Sequence, residues 1–548
     1  MKKILTVSSL EKIFPDEKPK LLQSEYSVFK NEAFHYQIAY FSDILVPFCD
    51  VEIQSDIQEF VTVRRVEPIA GHLATKKGVS DDYLLKKKKD STLYPDLLRP
   101  IRKGEELLRE KKWTAFWVTI NHEEKELPAG THTVKILFSK QEEALGEATF
   151  TLQVLPAELP RTQLQYTNWI HYDCISQWHG FEPFTPPFYT VLNEYIKTAV
   201  AHGMTMLYTP LFTPTLDTKE GGERQTIQLV DVEVLSDGSY AFGFEKLKYF
   251  MENAEALGIQ KFEFSHLATQ WGAFFCPKIE AKKGDRVVKL FGWDTFACSL
   301  EYLNFIDELF KGLKAFCEEN GYMDKIMFHV SDEPLKEHLD NFLYLKDKVR
   351  KYFPNVKIMD ALSNIEFTKE KYVDLAIVPT SSTEVFRKEG LLKWAYYCTS
   401  QSKDYLSNRF FNMPSQRTRV LGIQLYENEV EGFLHWGFNF YNSYLSMYPI
   451  DPYSVTDAGG AYQSGDCFIV YPTKTGVDES LRLEVFYDGI NDYRALVLLE
   501  SLYGKAYVMD LLHREGVVGF KEYPKSANWH LAFREKVNGL IVEKLSAK

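Results

Sequence analysis

Two adjacent acids, Asp332 and Glu333, end the apolar run at residues 325–330, with Ser331 before them and Pro334 after. Carboxylates are seldom buried without a partner, and neighbouring ones repel, which raises proton affinity. Side chains alternate between the faces of a regular strand. Where the chain turns at a strand end, however, both acids can enter one pocket. Pro334 places Glu333 in an extended or turn conformation. A solvated pair opening the following helix, where acids favour the N-terminus, is the competing structural reading.

The chemistry open to such a pair is glycoside hydrolysis. Two carboxylates normally flank the scissile bond, about 5 Å apart when configuration is retained and farther apart when it is inverted. Those usually come from different strands. An adjacent Asp-Glu pair suits the substrate-assisted variant, in which a 2-acetamido group supplies its own carbonyl oxygen as nucleophile. Glu333 is then the general acid on the leaving oxygen, its carboxyl raised by burial and by the neighbouring charge. Asp332 stays ionised, accepts the acetamido N–H and steadies the positive oxazolinium.

Holding that pair requires a scaffold, and residues 161–445 supply the pattern of one. Strand-like runs fall at 165–171, 204–211, 261–268, 326–330, 357–362, 375–379, 394–398 and 432–441. Helical patterns at 188–202, 244–257, 301–320 and 335–352 lie between them, and Gly203, Gly258 and Gly321 stand where the first three should stop. Eight strands over this length match a (β/α)8 TIM-type barrel, which needs about 250 residues. A doubly wound open sheet is the rival, but its Gly-rich first turn is missing. Residues 1–160 read as an N-terminal β-sandwich of short strands broken by turn chemistry. Residues 446–548 read as a small extension packed on the barrel: a hairpin or strand at 462–471, an amphipathic helix at 480–503 and a last helix at 527–545.

Barrel active sites lie at the C-terminal ends of the strands. That rule places Asp332 and Glu333 at the mouth after the fourth strand. The other ends offer His171, Tyr172 and Asp173, then His266 and Trp271, Asn364, and Tyr396 with Tyr397. The eighth offers His435, Trp436 and Asn439. His171, Trp271, Tyr396, Tyr397, Trp436 and Asn439 are the candidate substrate-binding residues. Each has a plainer alternative, since a lone histidine or aromatic on an apolar strand is ordinarily a satisfied core residue.

Composition narrows the partners. The 548 residues exceed one core. A net charge of −12 argues against nucleic acid or an anionic membrane, because phosphate binding needs a basic face. The basic run at 86–89 reads as a solvated loop. Aromatics make up 15% of the chain, enough to fill its cores and still line a sugar cleft. Seven cysteines without paired spacing imply free thiols in a reducing compartment. Glu11, Lys12, Asp16 and Glu17 interrupt the first apolar stretch too early for a signal peptide, which points to the cytoplasm. No membrane-spanning run is present. Neither a HExxH motif nor closely spaced histidines and acids suggest a metal, and no Gly-rich phosphate loop suggests a cofactor.

Six stretches carry a family resemblance: FHVSDEP at 328–334, VDLAIVP at 373–379, EGFLHWGFNFYN at 431–442, GDCFIVYP at 465–472, SLRLEVFYDGINDYRAL at 480–496, and YPDLLRP at 94–100. In these the chain resembles glycoside hydrolase family 123. The resemblance implies a β-sandwich followed by a (β/α)8 barrel, and a retaining exo-β-N-acetylgalactosaminidase acting on an oligosaccharide or glycoconjugate. It implies substrate-assisted catalysis by Asp332 and Glu333. It also implies a tyrosine on the acetamido carbonyl, for which Tyr396 and Tyr397 are both candidates.

Two other functions remain open at this stage. One is a glycosidase for another β-hexosaminide or for a sugar without the acetamido group, the latter with a nucleophilic carboxylate such as Asp173 or Asp360. The other is a non-catalytic carbohydrate-binding barrel, against which a repulsive acid pair counts.

Overall fold

In the strand Gly130–Lys140 every second side chain from His132 to Phe138 is buried, the period-two pattern of a strand with one covered face. Such strands build two five-stranded sheets in the first 155 residues of the computed structural model. The structure describes residues 2–72, 81–85, 91–141 and 143–547, so the basic run at 86–89 lies outside the described residues. One sheet orders Lys2–Ser8, Phe34–Ser42, Lys112–Ile120, Val61–His72 and Ser91–Pro100. The other orders Glu25–Phe29, Glu143–Leu155, Gly130–Lys140, Val46–Gln54 and Glu106–Leu108. Tyr36, Ile38, Phe116 and Val118 of the first share one apolar cluster with Val28, Ile136, Phe138 and Phe150 of the second.

Eight parallel strands follow: β1 (Gln165–Asn168), β2 (Met206–Thr209), β3 (Lys261–Phe264), β4 (Ile326–Phe328), β5 (Lys357–Ala361), β6 (Leu375–Pro379), β7 (Trp394–Tyr396) and β8 (Gly432–His435). Their order is β1-β8-β7-β6-β5-β4-β3-β2, so β2 to β8 pair in sequence order and β1 meets β8. The Thr205 N–H donates to the Tyr166 carbonyl and the Tyr166 N–H to Thr205 Oγ1, both at 2.9 Å, which nearly closes a TIM-type barrel between β1 and β2. Its flanking helices include α1 (Pro186–Ala201), α2 (Glu245–Ala256), α3 (Leu300–Glu319) and α4 (Leu339–Tyr352). Gly203, Gly258 and Gly321 take positive φ just past the first three, as expected of C-cap glycines. The fourth begins later than its sequence pattern suggests. Leu335 is extended and a 3-10 turn, Lys336–His338, precedes Leu339. The loops leaving β2 and β3 also build a four-stranded sheet that the sequence pattern does not reveal, Tyr240–Gly243, Asp231–Val234, Ile279–Lys283 and Arg286–Phe291.

Two further expectations change in the C-terminal extension. The stretch expected to pair over 462–471 forms a ladder only at Val470–Pro472, against Val477–Glu479. Gly465, at φ 102°, lies against the Arg409 carbonyl and turns the chain there. The helix expected at 480–503 is present as α6 (Leu481–Tyr503), capped by Ser480 Oγ, which accepts from the Leu483 N–H. It is not amphipathic. Its polar residues Arg482, Glu484, Asp488, Asn491, Asp492 and Arg494 are buried beside its apolar ones. Arg482 pairs with Asp96, and Asp488 with His35, both in the N-terminal sheets. Asp492 takes Arg419 after the barrel's seventh strand, and His530 and Arg534 from α7 (Ala527–Ser546). A buried charge persists only when so paired.

Backbones approach closely where α6 meets the short helix α5 (Leu421–Glu427). A Cβ on Gly422 would stand 1.7 Å from the Gly489 carbonyl oxygen, and one on Gly489 2.5 Å from that of Arg419. Gly422→Ala is therefore expected to destabilise by at least the ~1–3 kcal/mol of ordinary overpacking. Gly539→Ala, which meets open space on α7, should leave stability unchanged or raise it by about 1 kcal/mol. Thermal melts of the two variants beside wild type test this, and equal midpoints would count against the close helix packing.

Candidate active site

A cavity of about 450 Å³ opens at the C-terminal ends of the barrel strands, within the range of small-molecule sites. Asp332 and Glu333 both line it, Asp332 half-buried and Glu333 exposed toward the mouth. Their backbone is held from both sides. The Trp271 N–H, on the loop after β3, donates to the Asp332 carbonyl at 3.1 Å, and the Glu333 N–H donates to Ala361 O of β5 at 3.1 Å. Ser331 Oγ donates to the Thr269 carbonyl at 2.9 Å. Glu333 itself sits at φ 46°, in the left-handed region rather than extended before Pro334. Asp217, Trp271 and Ala273 also have positive φ, so strained backbone gathers around this cavity.

Behind the pair the barrel interior is ionic. His329 lies between Asp360, 3.2 Å from Nδ1, and Glu263, 2.9 Å from Nε2, all three fully buried. Burial alone would lower the proton affinity of His329, but the hydrogen bonds and charges of Asp360 and Glu263 outweigh it and raise its pKa to about 9. Asp360 also accepts the Val330 N–H at 3.2 Å, two residues before the pair. Burial lifts Asp360 to about 6 against the opposing pull of His329. His266 stacks on His329 at 4.4 Å, and its Nδ1 shares a hydrogen bond with the Tyr208 hydroxyl at 3.0 Å. Burial and the charge of His329 push its pKa far below the usual histidine range.

The cavity concentrates acid. Asp217 and Asp466 line it beside the pair. Burial raises Asp217 despite the Tyr462 hydroxyl that donates to it at 2.9 Å. Burial pushes Asp466, which accepts from Trp436 Nε1 at 3.2 Å, up to about 7. Asp332 is raised well above the carboxylate range, first by burial and then by the charges of Glu333, Asp217 and Asp360. Such a site favours positive charge developing in a bound molecule.

The candidate residues separate into two groups. Trp271, Tyr396 and Trp436 line the cavity, and the Tyr396 hydroxyl donates to Glu333 Oε1 at 2.9 Å. Burial and the Glu333 charge hold that phenol protonated. Tyr397 does not reach the cavity; it is packed against Phe433 and His435. Nor do His171 and Asn439. His171 Nε2 donates to the Trp436 carbonyl at 2.9 Å and Nδ1 faces Arg224. Asn439 ties down the His171 backbone, accepting from its N–H at 2.8 Å and donating to its carbonyl at 3.1 Å. Both support Trp436 from behind. The carboxylates considered as other nucleophiles are also occupied. Asp173 is held by Arg224 at 2.7 Å, and Asp360 faces His329 and the Val330 amide.

Trp169, Asp217, Gln270, Tyr444, Tyr462 and Asp466 complete the wall without having stood out in the sequence. Trp169 and Asp466 lie in stretches already marked, the first strand run and GDCFIVYP. Tyr462 opens the stretch expected as a hairpin or strand at 462–471 but lies outside the ladder that forms there, and Asp217 lies on a loop whose sequence carries no periodic signal. A larger cleft of about 580 Å³ lies between the four-stranded sheet and residues 182–184. Glu182, Asp231, Glu233, Lys246 and Lys282 line it, with nothing like the aromatic enclosure of the barrel cavity.

The sequence profile of the glycoside hydrolase 123 catalytic domain matches residues 169–499. A family 123 glycoside hydrolase from Clostridium perfringens, whose structure concerns glycolipid glycan hydrolysis, superposes with a TM-score of 0.75 at 14% identity, over 100% of this chain and 99% of that one. A GH5 xyloglucanase from Bacteroides ovatus gives a TM-score of 0.32 at 9% identity, over 86% and 98%. A family 39 glycoside hydrolase from Bacteroides cellulosilyticus gives 0.34 at 10%, over 88% and 82%. No curated protein matches the chain in sequence.

The pairing of His329 has a pH signature. Its pKa rises from about 6.5 in the unfolded chain to about 9 in the fold. Its stabilisation is therefore complete below about pH 6.5 and lost as pH rises through about 9, at up to ~1.4 kcal/mol per pH unit. The thermal midpoint of His329→Gln should lie furthest below wild type at about pH 6.5, with the gap closing toward pH 10. A gap independent of pH would remove the imidazolium from this account.

Proposed function

The chain belongs to glycoside hydrolase family 123, and on that footing we propose that it removes terminal β-linked N-acetylgalactosamine with retention, by substrate-assisted catalysis. One observation carries the reading: Asp332 and Glu333 share one aromatic-walled cavity, whereas Asp173 and Asp360 are taken up by other partners.

The residues divide the work as follows. Trp169, Trp436 and Tyr462 enclose the sugar ring. Glu333, oriented by the Tyr396 hydroxyl, gives its proton to the glycosidic oxygen as the C1–O bond breaks. The acetamido carbonyl oxygen closes on C1, forming a positively charged oxazolinium. Asp332 accepts the acetamido N–H. Its high affinity for a proton in the free site means that it does this best once the ring cation, which favours the ionised carboxylate, begins to form. Water, giving its proton to Glu333, then attacks C1 as the bond from C1 to the acetamido oxygen breaks, which regenerates the acetamido group and restores the original anomeric configuration. The other acids on the cavity wall add to the stabilisation of the cation.

Residues 1–160 form a β-sandwich, 161–445 the catalytic barrel and 446–548 the brace between them. The substrate is an oligosaccharide or glycoconjugate, with neither nucleic acid nor membrane as partner. Seven cysteines outside any disulfide support a reducing, cytoplasmic setting, and no described helix is long and apolar enough to cross a membrane. A second reading rests on Asp217, which lines the same cavity: an ordinary retaining glycosidase with Asp217 as nucleophile for a sugar lacking the acetamido group.

Purified protein assayed on aryl β-N-acetylgalactosaminide, β-N-acetylglucosaminide and plain β-galactoside separates these. Turnover confined to acetamido sugars, fastest on the galacto epimer, is expected; comparable cleavage of the plain galactoside would favour the Asp217 route. Within the proposed roles, Glu333→Gln should lose about 10²–10⁴-fold on poor leaving groups and far less on good ones. Asp332→Asn should slow both alike. Equal losses in both variants across all leaving groups would contradict the division of roles.

A further inference from the structure

On the face of the barrel opposite the cavity, four side chains from three parts of the fold converge. His202 is the C-cap residue of α1, four positions ahead of the start of β2. Glu479 ends the hairpin strand Val477–Glu479, and Glu484 lies in the first turn of α6. His122 follows the N-terminal strand Lys112–Ile120. One ligand atom from each lies within 4.8 Å of the other three. We propose that His122, His202, Glu479 and Glu484 bind one zinc-like divalent transition-metal ion that joins the N-terminal sheets, the barrel and the C-terminal extension.

The donor set is two imidazoles and two carboxylates, which suits Zn²⁺ rather than the all-oxygen shells of Mg²⁺ or Ca²⁺. Zinc–ligand bonds of about 2.0–2.2 Å make a tetrahedron with edges of about 3.3–3.6 Å. His202 Nε2 is 3.4 Å from Glu484 Oε2, and His122 Nε2 is 3.7 Å from Glu479 Oε1, so two of the edges are nearly formed. The two imidazoles meet edge to face, with ring centroids 5.7 Å apart and planes inclined by 60°.

The outer partners are those a metal ligand needs. His202 Nδ1–H donates to the Thr198 carbonyl at 2.7 Å, which leaves the Nε2 lone pair facing the cluster. Arg64 donates to Glu479 Oε2 and to Glu484 Oε1, so each carboxylate turns its other oxygen inward. His35 Nε2 approaches Glu484 Oε2 at 2.9 Å while its Nδ1 is held by Asp488 at 2.7 Å. The two carboxylates bring negative charge to the ion, with the Arg64 guanidinium on their outer oxygens and the charge of His35 shared with Asp488. His122 is 37% exposed and gives the ion a way in, while His202 and Glu484 are 1% exposed. Four protein ligands without an open position mark a structural site rather than a catalytic one.

The test uses the full chain freed of metal by a chelator and dialysed. One equivalent of Zn²⁺ should bind, read by competition with a chromophoric chelator, and should raise the melting midpoint. Co²⁺ should bind with the visible bands of a four-coordinate ion, and Mg²⁺ should not bind. His122→Ala, at a partly exposed loop position, keeps the fold and should lose more than the ~10–100-fold in Zn²⁺ affinity that changing an outer-shell partner costs; Glu479→Gln should do the same. Turnover of the metal-free protein, below its melting range, should match that of the zinc-bound form. The proposal falls if wild type takes up no stoichiometric Zn²⁺, or if both variants bind it as tightly as wild type. A loss of turnover on stripping would overturn the structural role. Because none of these readouts except the last involves a sugar, they stand apart from the choice of glycoside.

Discussion

Buried charge along α6 is the constraint on which the rest of the molecule depends. Asp492 alone gathers Arg419, His530 and Arg534, and Arg534 reaches on to Glu32 in the turn between the N-terminal strands Glu25–Phe29 and Phe34–Ser42. Arg482 binds Asp96 while also donating to the carbonyls of Gly465 and Phe468. Desolvating so many ions is unfavourable unless every partner is in place, and removing one partner of a buried pair typically costs about 3–5 kcal/mol. Hydrophobic contact alone would let the sheets, the barrel and the terminal helices slide over one another. Directional pairs with partners in all three do not. The helix therefore works as a keel, and the close approach of Gly422 to Gly489 lets the barrel side settle against it.

A second charged layer lies at the top of the barrel, where branched apolar side chains commonly fill the interior. Below it Met206, Met327, Met359, Leu375, Ile377 and Trp394 form an apolar plug. Above it Glu263, His329 and Asp360 replace that packing. Asp360 serves two ends of the same argument: it accepts a backbone amide of the β4 exit, and its charge is part of what raises Asp332. One neighbour thus contributes both to the placement of the pair and to the raised proton affinity of Asp332, and a substitution there changes both.

Much of this was legible in the residues themselves. C-cap glycines and eight apolar runs, several of them separated by helical patterns, specify the barrel, and an acid pair ahead of a proline marks its mouth. What stayed hidden depends on long-range assembly. Tyr396 and Tyr397 are adjacent and chemically alike, yet strand alternation sends one to the cavity and the other to Phe433. Asn439 and His171 sit in suggestive places and turn out to brace Trp436. The polar residues of α6 look like a solvent face until their partners, hundreds of positions away, are known. The same holds for His122, His202, Glu479 and Glu484: no local spacing announces a cluster drawn from three regions.

The cavity has two kinds of wall. The charged backing of the acid pair comes from Glu263 on β3, Asp360 on β5 and His329 just past the end of β4, and Asp332 and Glu333 follow directly on the turn that leaves β4. Asp217, Trp271, Tyr444, Tyr462 and Asp466 hang on loops outside the strands. Descendants of this chain can therefore exchange the loops, and with them the preferred leaving group or neighbouring sugar, while the proton chemistry passes unaltered between generations. The reverse route is closed, because any change in the strand layer disturbs His329 and Asp360 together. Diversity in this lineage should collect at the rim, with the floor inherited as a block.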